Sequence, residues 1–250
     1  MIPYLRRKLK PFFHKDIVDY VHYRYNLDFF KKNSKSKKQM IESYSKKYPD
    51  TEYISNNIKS PSVVFDIGAH YGEMSFFFSK LFGNSTIYSF EPTNRSFKYF
   101  LKVIKKLKLR NVVPKNLALG ERKGVSYLNT SGDSAMNNIS KTGEKIIIDT
   151  VDDFVERNKI KNIDFIKCDV EGFEYFVFKG GLNSIRKFKP IIFSEIQKEW
   201  YSRYSKQSAL DLLIGEGYIA YRYDNKLKKL IEVSEVSEEY GDYFFFPKKK

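Results

Sequence analysis

The 250-residue sequence has one cysteine, Cys168, and three histidines, His14, His22 and His70. One cysteine excludes an internal disulfide framework and any zinc site built on several thiolates. The scattered histidines form no metal-ligand spacing. No stretch approaches the roughly 18 consecutive apolar residues of a spanning helix. Residues 1–13 are basic but lack the continuous apolar segment of a secretory signal. The expectation is a soluble cytoplasmic protein. Neither a complete G-x-G-x-x-G fingerprint nor a Walker loop occurs, which argues against dinucleotide and P-loop chemistry.

Aromatic residues are plentiful, with 22 Phe and 19 Tyr, and 42% of the chain is hydrophobic. That is enough apolar material for a sizeable core and excludes wholesale disorder. The net charge is +15, and residues 1–60 carry 14 Lys/Arg against 6 Asp/Glu. Such a field suits anionic partners such as phosphorylated glycans, nucleic acid or an anionic membrane face. Lysine-rich coding bias produces the same composition. Arg6, Arg7, Lys8 and Lys10 stand beside Leu5, Leu9, Phe12 and Phe13. That mixture would let the N-terminal segment dock on an anionic membrane surface.

Residues 1–60 read as a basic, aromatic helical appendage, with helices near 16–30 and 39–47. Residues 61–250 read as the core domain. There, short apolar runs alternate with helical patterns: strands at 63–65, 86–90, 111–118, 163–168 and 191–196, helices at 73–82, 94–109, 151–157, 173–182 and 208–216. This alternation implies a parallel, doubly wound sheet. Residues 124–150 read as a polar β excursion. Residues 218–223 and 243–246 read as two closing strands, with a turn at Asp224–Asn225.

Three places carry chemistry. Asp66-Ile67-Gly68-Ala69-His70-Tyr71-Gly72 lies between a strand and a helix, where glycine permits a sharp turn and close approach to a ligand. The helix start beyond it offers free N–H groups. Glu91 ends the next strand, where a carboxylate can accept hydrogen bonds from ribose hydroxyls. Lys167, Asp169 and Glu171 alternate at the end of a buried strand, and period-two geometry would put them on one side if the strand runs that far. Glu195 ends the neighbouring strand. Buried charges of this kind are costly without a role.

At these residues the chain resembles the FkbM family of S-adenosylmethionine-dependent methyltransferases. The matching blocks are VVFDIGAHYG from Val63, SFEP from Ser89, NLALG from Asn116, IDTVDDF from Ile148, IKCDVEGFE from Ile166 and KPIIFSEI from Lys189. The resemblance covers about residues 60–247. It implies a class I Rossmann-like α/β fold with a seven-stranded, mostly parallel sheet and an antiparallel last strand. It also implies O-methylation of a sugar, glycan or natural-product hydroxyl. Carried over by position, Asp66, Gly68, Ala69, His70 and Gly72 would form the cofactor loop, with Asp66, Gly68 and Gly72 at the methionine part. Glu91 would hold the ribose, and Asn116 and Ala118 would flank the adenine. Asp169 and Glu171 would face the acceptor, with Asp169 also near the cofactor's amine.

Asp169 is then the candidate to orient or deprotonate the acceptor hydroxyl, aided by Glu171 and Glu195, with Lys167 either holding the carboxylates or lowering the hydroxyl pKa. Asp169, Glu171 and Glu195 are hard oxygen ligands of the kind Mg²⁺ takes. No histidine joins them, so a metal-free reaction is the preferred reading. Two other readings stay open. One is a nucleic-acid methyltransferase, suggested by the charge and by Lys167, Asp169 and Glu195. The other is a non-catalytic protein that docks on a membrane or partner. Acceptor specificity is expected in the loops at 124–145 and 198–206, with Trp200 and Tyr201 either stacking on a sugar or packing a helix.

Overall fold

The computed structural model describes residues 15–129, 138–140, 142–196, 208–235 and 241–248. The basic segment at residues 5–13, proposed above for membrane docking, lies outside these, as do Trp200 and Tyr201.

Three helices precede the sheet: α1 (Lys15–Asn33), α2 (Lys37–Lys47) and α3 (Asp50–Asn57). Then follow β1 (Val63–Ile67), α4 (Glu73–Leu81), β2 (Thr86–Phe90), α5 (Asn94–Leu107) and β3 (Val112–Lys115). An excursion of four short strands comes next: β4 (Ala118–Leu119), β5 (Gly124–Asn129), β6 (Asn138–Ser140) and β7 (Glu144–Asp149). The chain returns through α6 (Val151–Arg157), β8 (Phe165–Cys168), α7 (Glu174–Lys179), α8 (Leu182–Phe188), β9 (Ile191–Ile196) and α9 (Ala209–Gly215). It closes with β10 (Tyr218–Asp224), β11 (Lys229–Val233) and β12 (Gly241–Pro247). Helix starts follow side-chain capping: Thr150 Oγ accepts from Asp153 N at 3.0 Å, and Ser208 Oγ from Asp211 N at 3.0 Å.

The main sheet has eight strands in the order β11-β10-β12-β9-β8-β1-β2-β3. The parallel strands β3-β2-β1-β8-β9 and the antiparallel β12 agree with the expected Rossmann-like plan. The strand count differs from the seven expected. The turn after Asp224 leads into an eighth strand, β11, antiparallel to β10. Its residues Lys229–Val233 are mostly exposed and carry no buried-strand signature, because an edge strand needs only one neighbour. The run at 111–118 also splits. Val112–Lys115 joins the main sheet, whereas Ala118–Leu119 joins a second sheet of order β4-β7-β5-β6.

Both faces of the main sheet are covered, as parallel strands require. Along β1, Phe65 and Ile67 enter a core with α6–α9, while Val64 enters the other with α1–α5. Residues 1–60 were separated from the core by composition, yet α1–α3 bury Tyr23, Leu27, Phe30, Met40, Tyr44 and Ile54 in that second core. Phe30 stacks on Phe76, centroids 4.9 Å apart, and Tyr44 on Phe77 at 4.8 Å. Burying such rings contributes roughly 2 kcal/mol each. The strand order reverses between β1 and β8, the topological switch point where open α/β sheets bind ligands.

Candidate active site

The switch point is built from two tight loops in backbone contact. Gly68 has φ +81°, and a β-carbon there would stand 1.8 Å from the carbonyl oxygen of Asp169. Gly68 N and Ala69 N both donate to Phe90 O, at 3.0 and 2.9 Å. His70 also adopts a left-handed conformation, φ +49°, and Gly72 opens α4 with φ +87° against the Phe100 ring. The second loop turns through Glu171 at φ +57° and Gly172 at φ +94°. Residues held in this region mark sites that the surrounding fold over-determines.

Beneath the loops runs a buried polar row. The register sets Asp66 beside Lys167 on one neighbouring strand and beside Ser89 on the other. Ser75 of α4 donates to Asp66 Oδ2 at 2.5 Å and lies 2.9 Å from Ser89 Oγ. Lys167 Nζ sits 3.1 Å from Asp169 Oδ2, 3.2 Å from Gly68 O and 3.8 Å from Asp66 Oδ1. Burial alone would lower the lysine pKa, but the Asp169 and Asp66 carboxylates outweigh it and hold the ammonium charged. Burial pushes Asp66 up, tempered by Lys167 and Ser75. Asp66 Oδ1 makes no hydrogen bond among the described residues.

Two cavities share Gly68, His70 and Asp169 in their linings. The first, of about 200 Å³, is lined by Gly68, His70, Glu91 and Thr93. Apolar side chains, among them Leu117, Leu119, Leu128, Ile146 and Phe173, also line it. The second, of about 160 Å³, lies between Gly68, Lys167 and Glu195, under Tyr48, Asp50 and Thr51 of the α2–α3 corner.

The residues singled out from sequence take distinct places. Glu91 is buried on the first cleft and accepts from His70 N at 2.9 Å, Thr93 N at 2.9 Å and Thr93 Oγ at 2.5 Å. Burial raises its pKa against those hydrogen bonds. The His70 ring lies against Tyr71, centroids 3.9 Å apart and the planes tilted by 37°. Ala69 lines the second cavity and Ala118 the first. Asn116 braces the end of β2, donating to Glu91 O at 2.9 Å and Pro92 O at 3.0 Å. Asp66 and Gly72 stand behind the loop they shape, outside the walls of both cavities.

Lys167, Asp169 and Glu171 would share one side only if the strand ran that far. β8 ends at Cys168, so the condition is not met; the left-handed turn carries Glu171 to the first cleft, while Glu195 lines the second. Glu171 is pushed up to about 9 by burial, then by Asp169, Glu195 and Glu174. Glu174 anchors the turn by accepting from Val170 N at 3.0 Å and Gly172 N at 3.2 Å. Among the described residues, no three His, Cys, Asp or Glu side chains are arranged to hold a metal ion, so Asp169, Glu171 and Glu195 do not form a ligand set. No helix among them is long and apolar enough to cross a membrane.

Sequence reasoning missed Thr93, Glu174, Tyr48, Asp50 and Asp242. Asp242 had a signal, being the one charge in the aromatic strand GDYFFFP. The others depend on chain packing.

The Methyltransferase FkbM domain family matches residues 66–220. No curated protein sequence matches the chain. Among solved structures, the methyltransferase FkbM of Methylobacillus flagellatus KT is similar, with 15% identity and a TM-score of 0.51. The match covers 92% of this chain and 60% of that one, so this chain spans three-fifths of that relative. An O-methyltransferase of Bacillus cereus, solved with SAH, has 12% identity, a TM-score of 0.46 and coverage of 78% and 76%. A putative rRNA methylase of Clostridium thermocellum has 13% identity, a TM-score of 0.46 and coverage of 78% and 91%. With more than half of its residues matched by that one family, the chain belongs to the FkbM methyltransferases.

Proposed function

We propose that this chain transfers a methyl group from S-adenosylmethionine to a hydroxyl of a small-molecule or glycan acceptor, with Asp169 taking the hydroxyl proton. The observation that carries this reading is the position of Asp169 on the wall shared by both cavities.

The first cleft fits the cofactor. Its apolar lining suits an adenine, Glu91 offers a carboxylate to ribose hydroxyls, and Gly68 leaves room where any β-carbon would collide. The loop ahead of α4 would cradle the methionine part with its backbone. When bound, S-adenosylmethionine supplies a methyl group already activated as a sulfonium. The chain's task is to align the acceptor oxygen and receive its proton. Asp169 suits both, because Lys167 fixes its Oδ2 and its side chain is 35% exposed. Asp169, held by Lys167, would receive the acceptor hydroxyl's proton as that oxygen takes the methyl group. The carboxylates of the second cavity disfavour a polyanion such as RNA at the reacting centre.

Labelled S-adenosylmethionine, incubated with glycan, lipid, RNA and protein fractions, would identify the acceptor class. Asp169→Asn should then lower turnover by about 100-fold, with affinity for S-adenosylhomocysteine kept. Turnover within a few-fold of wild type would overturn the assignment.

A further inference from the structure

The second cavity is acidic in a strongly basic protein. Asp50, Glu73, Asp169, Glu195 and Asp242 line it, with Lys167 as the cation. Lys167 is committed to Asp66 and Asp169. Glu73 is held by Lys47 and Tyr48. Asp242 and Glu195 are cross-strand partners between β12 and β9. Like charges directly opposite in a sheet are destabilising. The Asp242 side chain has neither a hydrogen bond nor an ion pair among the described residues. Burial, then Asp50, Glu195 and Asp169, drives its carboxyl well above the ordinary range, and Lys167 offsets this in part. Asp50 is pushed up to about 6, chiefly by burial, with Arg222 opposing.

We propose that this recess is the acceptor subsite and takes a hydroxyl compound bearing a protonated amine, such as an amino sugar or amino alcohol, with its ammonium between Asp242 and Asp50. This rests on the reading of the adjoining cleft as the cofactor site. An ammonium brings three donors and a compensating charge to carboxylates that otherwise repel. Its hydroxyl then lies toward Asp169, on the wall facing the cofactor cleft. Met74 and Phe193 supply apolar wall for the carbon skeleton. Tyr48, Asp50, Thr51 and Asp242 all fall outside the matched residues 66–220, so this chain's own N-terminal helices and last strand would set its selectivity.

The test uses the full chain loaded with S-adenosylhomocysteine, titrated calorimetrically with ethanolamine, glucosamine and tyramine, each beside its N-acetyl counterpart. At least one amine should bind about tenfold more tightly than its acetylated partner. Asp242→Asn combined with Asp50→Asn should abolish that preference and leave S-adenosylhomocysteine affinity within about threefold. If wild type prefers no amine, or the double variant keeps the preference, the proposal is wrong. A large loss of S-adenosylhomocysteine affinity in the folded double variant would also overturn it, by making the recess part of the methionine subsite. Should the double variant not fold, the wild-type comparison decides alone. Wild type that binds no S-adenosylhomocysteine would defeat the cofactor reading itself, and this proposal with it.

Discussion

The backbones of Gly68 and Asp169 touch across the switch point: a β-carbon on Gly68 would meet the Asp169 carbonyl oxygen at 1.8 Å and its carbon at 2.9 Å. The Gly68 loop and the Asp169 loop are therefore positioned as one unit. Gly68→Ala would add a steric clash to an unfavourable φ of +81°. We expect a loss of about 3 kcal/mol or more in stability, or failure to fold. Gly83→Ala, where nothing lies within 4 Å, should be nearly neutral. Thermal unfolding of the two variants checks the contrast.

Lys167 is the counter-charge of a fully buried Asp66. Lys167→Met should destabilise by about 3–5 kcal/mol, because one buried charge is left uncompensated. Adding Asp66→Asn should recover part of that loss, since the pair is then removed together. Urea unfolding gives both values, and equal stability of the single and double variants would contradict the coupling.

Glu171, with its pKa near 9, is neutral at pH 7. The native state keeps a proton that the unfolded chain releases above about pH 4.3. Stability contributed by this group therefore falls as pH rises from about 4 to about 9. Glu171→Gln does not titrate, so its advantage over wild type should grow across that window and level off above it. Because glutamine mimics the neutral acid, turnover at pH 7 should stay within about threefold of wild type. A collapse of turnover at pH 7 would show that Glu171 acts as a carboxylate.

Glu91 accepts two backbone N–H groups and one hydroxyl while facing the cleft. Glu91→Ala should weaken S-adenosylmethionine binding by about tenfold or more, through loss of ribose contacts and of loop order. Thr93→Val, which removes only the Oγ donor, should cost less. Equilibrium titration separates the two, and unchanged affinity in Glu91→Ala would remove Glu91 from the cofactor site.

Most of the parallel core was legible in sequence, because a strand buried on both faces is a short apolar run and a helix packed on it has an apolar stripe. β9 (Ile191–Ile196) and α6 (Val151–Arg157) fall where those patterns put them. The exposed edge strand β11 and the short helix α3 were not legible, since neither is long enough or apolar enough to carry a period. The place of Glu171 was not legible, because alternation holds only while a strand continues, and the left-handed turn depends on Gly172 and the Glu174 anchor.

By itself, the order of residues determined the family, the Gly68 loop, Glu91 and the acidic block after Cys168, because each is a local pattern with a local physical cause. Only the tertiary structure decided which carboxylates share a wall. Asp50, Glu195 and Asp242 lie far apart in the chain, and strand register together with the packing of α2–α3 brings them to one recess. Pairing between distant segments depends on the whole core being formed, so no short stretch of sequence could announce it.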